Sequence, residues 1–142
     1  MATPNEVAES MYARDRASQW LGLKIVDVRE GYAQMSMEVK PHMANGHDIG
    51  HGGLTFALAD STFAFACNSY NINAVAAACS IESVAPTRVG DVLTATAQEQ
   101  VLMGRNGIYD VRVTNQRNEV VALFRGKSTQ IRGSVIPETK ES

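Results

Sequence analysis

The chain has 142 residues, 44% of them hydrophobic and 20% charged, with a net charge of −2. That is the size of one domain with room for a packed core, and the composition argues against a disordered chain. The charge balance gives no general pull toward nucleic acid, although a local basic patch remains open to a small polyanion. Residues 1–16 mix charges and have no apolar core, so they do not read as a signal peptide. The apolar run 53–67 is too short to span a bilayer and carries Asp60 near its middle. Cys67 and Cys79 show no metal-type spacing and lie in apolar runs, which reads as buried free thiols in a reducing cytoplasm.

Thr3-Pro4-Asn5-Glu6 has the form of a capping box with proline at the first helical position. It predicts a helix over about residues 3–16, docked by Val7 and Met11, with a further turn at 18–21. Lys24–Arg29 and Tyr32–Val39 then alternate around Glu30-Gly31, which predicts a β-hairpin with Ala33, Met35, Met37 and Val39 on its buried face. A polar loop, 41–50, leads into a long apolar helix over 52–70. Strands are predicted at 74–84, 92–103, 108–115 and 119–132, with tight connections at 104–107 and 116–118. The tail from about residue 134 is expected to be disordered. No repeat or linker interrupts the pattern, so residues 1–142 read as one domain.

A helix apolar on every side must be wrapped, since an amphipathic one would suffice to lie on a sheet surface. The fold class is therefore α+β: a mostly antiparallel sheet curled around one long helix. Such a sheet leaves edges uncovered, so oligomerisation is expected.

The chemistry concentrates on that helix. Asp60 is the one Asp, Glu, Lys or Arg between Ile49 and Ile81. An unpaired carboxylate is expensive to bury, and folds keep one chiefly where its charge is used. Phe56, Asp60, Phe63, Cys67 and Tyr70 fall on one helical face, so the carboxylate is expected to feel strong desolvation among aromatic rings. A structural aspartate satisfied by Ser61, Thr62 or a backbone group is the competing reading. Gly52 and Gly53 open the helix with free N–H groups at its positive end, which is what a carbonyl oxygen requires as it becomes an oxyanion. Asn45 and His51 flank the spot: asparagine can orient water or the carbonyl, and histidine can hold the loop or polarise a substrate oxygen.

His42, His47, Asp48 and His51 raise the possibility of zinc, but the loop lacks regular ligand geometry and no metal is expected. No serine sits in a nucleophile elbow. Arg125 and Lys127, two apart on a strand, share a face and with Arg88 are candidates for clamping the phosphates of a nucleotide-like carrier; a solvated strand face is the plainer alternative.

The run Asn45-Gly46-His47-Asp48-Ile49-Gly50-His51-Gly52-Gly53-Leu54, continued through Ala57-Leu58-Ala59-Asp60, resembles hotdog-fold acyl-CoA thioesterases, and within them the PaaI-type enzymes of phenylacetate degradation. The resemblance extends from Met11 to Arg132 through FAFACNS, GDVLTATAQ, YDVRVTNQ and VALFRGKS. It implies hydrolysis of phenylacetyl-CoA or a ring-hydroxylated derivative, with no cofactor beyond the CoA of the substrate. Asp60 would be the catalytic carboxylate, as nucleophile or base, and the Gly52 amide the oxyanion donor facing Asp60 of a second subunit. Asn45 and His51 would position the substrate. Gly53, Phe56, Phe63, Arg88, Arg125 and Lys127 would contact it. The resemblance also implies a homodimer that pairs into a homotetramer. Ala64 and Ala78 stand where some relatives carry a water-orienting hydroxyl. A hotdog enoyl-CoA hydratase and a non-catalytic acyl-CoA-binding protein are the competing functions.

Overall fold

A computed structural model describes residues 1–138. Helix α1 (Pro4–Arg14) starts on the predicted capping box: Glu6 N–H donates to Thr3 Oγ1 at 3.2 Å and Thr3 N–H to Glu6 Oε1 at 3.1 Å. It stops short of Arg16 because Asp15 caps a second helix, α2 (Arg16–Trp20), accepting from Ser18 N–H at 3.0 Å and from Ser18 Oγ at 2.6 Å. Val7 and Ala8 are the buried residues of α1, and Met11 packs more loosely against the core.

Strands β1 (Lys24–Arg29) and β2 (Tyr32–Glu38) form the expected hairpin, closing at Glu30-Gly31 with Gly31 at φ +72°. After α3 (Gly52–Cys67) come β3 (Ala74–Ser83), β4 (Val92–Met103), β5 (Asn106–Thr114) and β6 (Val120–Gln130). All six strands make one antiparallel sheet in the order β1-β2-β4-β5-β6-β3. The alternation read from β2 holds: Ala33, Met35 and Met37 are buried and their neighbours are not.

The sheet curls over α3 from one side. Leu58, Ala59, Thr62, Phe63, Phe65 and Ala66 form the buried side of the helix, while Leu54, Phe56, Ala57, Asp60, Ser61 and Ala64 are only partly covered. Phe63 fits because residue 126 is glycine. A Cβ there would lie 2.8 Å from three atoms of the Phe63 ring. Tyr109 and Phe124 close the pocket around that ring, with centroids at 5.6 and 5.8 Å.

The helix ends at Cys67, three residues earlier than expected. Asn68 takes over, donating to the Ala64 and Ala74 carbonyls and accepting from Ala74 N–H, so the chain turns directly into β3. Beyond Ser134 the expected disorder does not hold for residues 134–138. Asn71 Oδ1 accepts from Ile136 N–H at 2.8 Å, and Asn71 Nδ2 donates to Ile136 O and to Glu138 Oε1. Residues 139–142 lie outside the described residues.

β3 is one edge of the sheet, β1 the other, and among the described residues β3 pairs with β6 alone. Val75 to Ser80 are all exposed along it, Cys79 included, which corrects the expectation that both thiols are buried; Cys67 is.

Candidate active site

The loop before α3 is held by its own polar groups. Asn45 Oδ1 accepts from His47 N–H at 2.9 Å, and Asn45 N–H donates to Ile49 O at 2.7 Å. His51 N–H donates to Met43 O, and Gly50 N–H to Thr87 O, both at 2.8 Å. Gly50 has to be glycine, because a Cβ would run into Thr87 Oγ1. His51 is the N-cap of α3: with φ −64° and ψ 126°, its Nδ1 accepts from Gly53 N–H at 3.1 Å. The imidazole must therefore leave Nδ1 unprotonated to cap the helix.

The cap separates the two glycines. Gly53's N–H is consumed by His51, which corrects its assignment as a free substrate-facing amide. Gly52's N–H has no partner among the described residues and opens onto a cleft of about 340 Å³. Asn45, Thr55, Ser83 and Thr87 supply polar groups to that cleft, and Ile49, Val84, Pro86 and Val121 its apolar wall.

Asp60 is half-buried and has neither a hydrogen bond nor an ion pair among the described residues, so the structural alternative of an aspartate satisfied by Ser61 or Thr62 does not apply. Ser61 instead bonds Ser18, and Thr62 the Leu58 carbonyl. Desolvation pushes the Asp60 carboxyl above its ordinary range. Its charge in turn helps to raise Cys67 and Cys79, so both thiols lie near it; burial is the main cause that pushes Cys67 up to about 12.

Other predicted contacts scatter. Phe63 is 1% exposed, locked against Gly126, and is core rather than substrate surface. Phe56 packs edge-on against Phe124 at 5.5 Å and stays partly open. Arg88 is exposed and follows Thr87 in the chain, but it is not among the residues that line the cleft. Arg125 and Lys127 do share a face, but it is the face opposite α3: Phe124 and Gly126 point to the helix and these two point away. Arg125 is already engaged, donating to both carboxylate oxygens of Asp110 at 2.6 and 2.8 Å. Within one protomer neither reaches the cleft. His42 leans toward Trp20, with ring centroids 6.3 Å apart, and no group of three or more metal-ligating side chains is assembled among the described residues.

Residues 47–122 match the model of the thioesterase superfamily. The chain belongs to that superfamily. This thioesterase is 46% identical to the acyl-coenzyme A thioesterase PaaI of Escherichia coli, over 92% of its own length and 94% of the relative's. The solved structure of the E. coli PaaI protein from the phenylacetic acid degradation operon superposes with a TM-score of 0.91 at 45% identity, covering 92% of this chain and 95% of the other. A mutant of the phenylacetic acid degradation protein PaaI from Thermus thermophilus superposes at 0.79 with 35% identity, covering 82% and 100%. The fold is the hotdog fold, as the motif implied.

Thr55 and Thr87 also line the cleft, and neither is expected from the sequence. Thr55 was masked as a helix residue in an apolar run. Thr87 reaches the site only through its backbone bond to Gly50, across a separation that no local pattern reveals.

Proposed function

We propose that this thioesterase hydrolyses acyl-CoA thioesters to free acid and CoA, with phenylacetyl-CoA or its ring-hydroxylated forms as substrate, at sites each completed by two subunits. The observation that carries the reading is the pair of unsatisfied groups on α3: a lone N–H at Gly52 and a lone carboxylate at Asp60. Likeness to PaaI supports the substrate class.

The two groups are eight residues apart on one helix, roughly 12 Å along its axis at 1.5 Å per residue. That is too far for both to act on one carbonyl. A second copy resolves the distance. The β3 edge runs from Ala74 to Ile81 with Ser80 as its one polar side chain and no charge or proline before Glu82, so pairing with the partner's β3 extends the sheet and brings the two α3 helices side by side. Gly52 of one subunit then faces the partner's Asp60.

In this site Gly52 N–H donates to the thioester oxygen as negative charge develops. Asp60 either attacks the carbonyl carbon, expelling CoA thiolate to leave an anhydride that water opens, or takes a proton from the attacking water. Asn45, whose Oδ1 is tied into its loop, offers Nδ2 to the bound carbonyl or water. Arg88, exposed and one residue after Thr87, is the candidate cation for a CoA phosphate. No helix is long and apolar enough to cross a membrane among the described residues, and the free thiols support a cytoplasmic location.

Thiol release from a panel of acyl-CoAs, with wild type and Asp60→Asn side by side, tests the reaction. Loss of release in the variant with the oligomer intact is the expected result; binding without release from wild type would establish the non-catalytic alternative. Mixing unfolded Asp60→Asn and Gly52→Pro subunits and refolding them together tests the shared site. About a quarter of the sites regain both groups if each site spans a symmetric dimer, and none does if sites lie within one chain.

A further inference from the structure

The cleft at Gly52 carries two hydroxyls that neither the fold nor the chemistry above accounts for. Thr87 is 5% exposed and Thr55 6%, so each is more than nine-tenths buried. Neither Oγ1 has a hydrogen-bond partner among the described residues, in contrast to Thr62, whose hydroxyl is satisfied by the Leu58 carbonyl at 2.7 Å one turn further along the same helix. The two threonines are buried but their hydroxyl oxygens are not fully so, since no buried side-chain oxygen among the described residues lacks a partner. The opening these two retain is onto the cleft that both line. They come from different elements, Thr55 from the first turn of α3 and Thr87 from the segment between β3 and β4. Thr87 is further fixed by its seat on Gly50, where its Oγ1 fills the space of a missing side chain.

The geometry points to a recognition subsite: the hydroxyls of Thr55 and Thr87 bind a neutral group that both donates and accepts hydrogen bonds, beside the Gly52 amide. A neutral group fits because within one protomer no charged side chain lines the cleft, while the hydroxyls of Thr55, Thr87 and the more exposed Ser83 and the Asn45 amide do. Apolar Ile49, Val84 and Val121 close the remaining wall, which suits a group carried on a hydrocarbon frame. An acyl-CoA of the proposed class has two such groups: a phenolic hydroxyl on the acyl ring, and an amide of the pantetheine arm. The subsite rests on the acyl-CoA thioesterase reading and deepens it by naming specificity residues. Thr55 and Thr87 bind; they take no part in bond making.

The test compares wild type, Thr55→Val, Thr87→Val and Thr87→Ser in hydrolysis of phenylacetyl-CoA and a hydroxyphenylacetyl-CoA. Removing one hydroxyl from a neutral hydrogen bond lowers kcat/KM by about 2- to 12-fold. A loss confined to the hydroxylated substrate, restored by Thr87→Ser, assigns the ring hydroxyl. An equal loss on both substrates, again restored by serine, assigns the pantetheine amide. Unchanged kcat/KM in both valine variants, or a loss that serine does not restore, overturns the subsite. If wild type releases no thiol, the failure belongs to the catalytic reading. Calorimetric titration of the same acyl-CoAs into wild type and the valine variants then decides the subsite by the same pattern of affinities.

Discussion

Replacing Gly52 with proline removes one hydrogen atom's worth of chemistry and almost nothing else. Proline is well tolerated at the first position of a helix, where the N–H has no intrahelical acceptor. The residue before it must be extended, and His51 already is, at φ −64° and ψ 126°. Beyond its chain neighbours and its own helix backbone, nothing lies within 4 Å of a Cβ placed at Gly52, and its N–H has no partner among the described residues. The expected stability change is therefore zero to a gain of about 1 kcal/mol from a stiffer unfolded chain. With an unfolding entropy near 2.1 cal/mol/K per residue, that is at most about 3 °C in Tm for a chain of this length. Loss of one oxyanion donor lowers kcat by about 10²–10³, which at 1.36 kcal/mol per decade is roughly 2.7–4 kcal/mol of transition-state stabilisation. Because the bond strengthens only as charge develops, kcat and kcat/KM fall together. The assay is thiol release under saturating and limiting substrate, with Gly52→Ala as the control that keeps the N–H. A Gly52→Pro enzyme that melts like wild type and keeps its kcat within tenfold refutes the assignment. So does an alanine variant that loses as much as proline.

Three further outcomes follow from individual contacts. Asp60→Asn raises stability at neutral pH while abolishing turnover. The folded carboxyl titrates above its ordinary range through desolvation, so its ionised form opposes folding; the advantage of the variant in chemical denaturation grows as pH rises through the raised pKa and vanishes below the unfolded value. His51→Ala strips the cap from α3 and costs about 1 kcal/mol, whereas His51→Asn, another good N-cap, restores most of the melting temperature. Gly126→Ala drives a Cβ into Phe63 and costs about 1–3 kcal/mol, read as a Tm lowered by roughly 3–10 °C; an unchanged Tm would mean the ring is not held there.

The elements that sequence exposed are those governed by local periodicity. β2 alternates because one of its faces is buried, and the capping box at Thr3 is complete within four residues. Asp60 stood out because a charge in an apolar helix is legible without knowing its neighbours. What failed were inferences about which way a shared face points. Phe56, Asp60 and Phe63 do recur at helical spacing, but only the sheet decides that Phe63 enters the core opposite Gly126 while Asp60 does not. Arg125 and Lys127 share a strand face as expected, yet the face is fixed by Phe124 and Gly126 packing inward, and Arg125's partner Asp110 comes from the neighbouring strand. The early end of α3 depends on Asn68 reaching Ala74, a bond that no helix-propensity argument contains.

Two consecutive N–H groups begin α3, and the fold gives them different tasks. His51 takes Gly53, which anchors the first turn, and the loop from Asn45 to Gly50 is tied down at Ile49, Met43 and Thr87, so the remaining Gly52 N–H points in a fixed direction. Preorganisation of this kind lets a single donor matter, because no reorganisation is needed when charge appears. Asp60 is treated in the opposite way. The protomer leaves it half-buried beside an open apolar edge, with no group to stabilise its charge. In the proposed dimer the partner's β3 and α3 complete its desolvation, so association both supplies the missing amide and strengthens the carboxylate as a base. In that proposed dimer, assembly and activity are the same event. Specific activity is expected to fall on dilution together with the dimer, measured by light scattering and thiol release on the same samples, before helical circular dichroism is lost; full activity in a demonstrated monomer would refute the shared site.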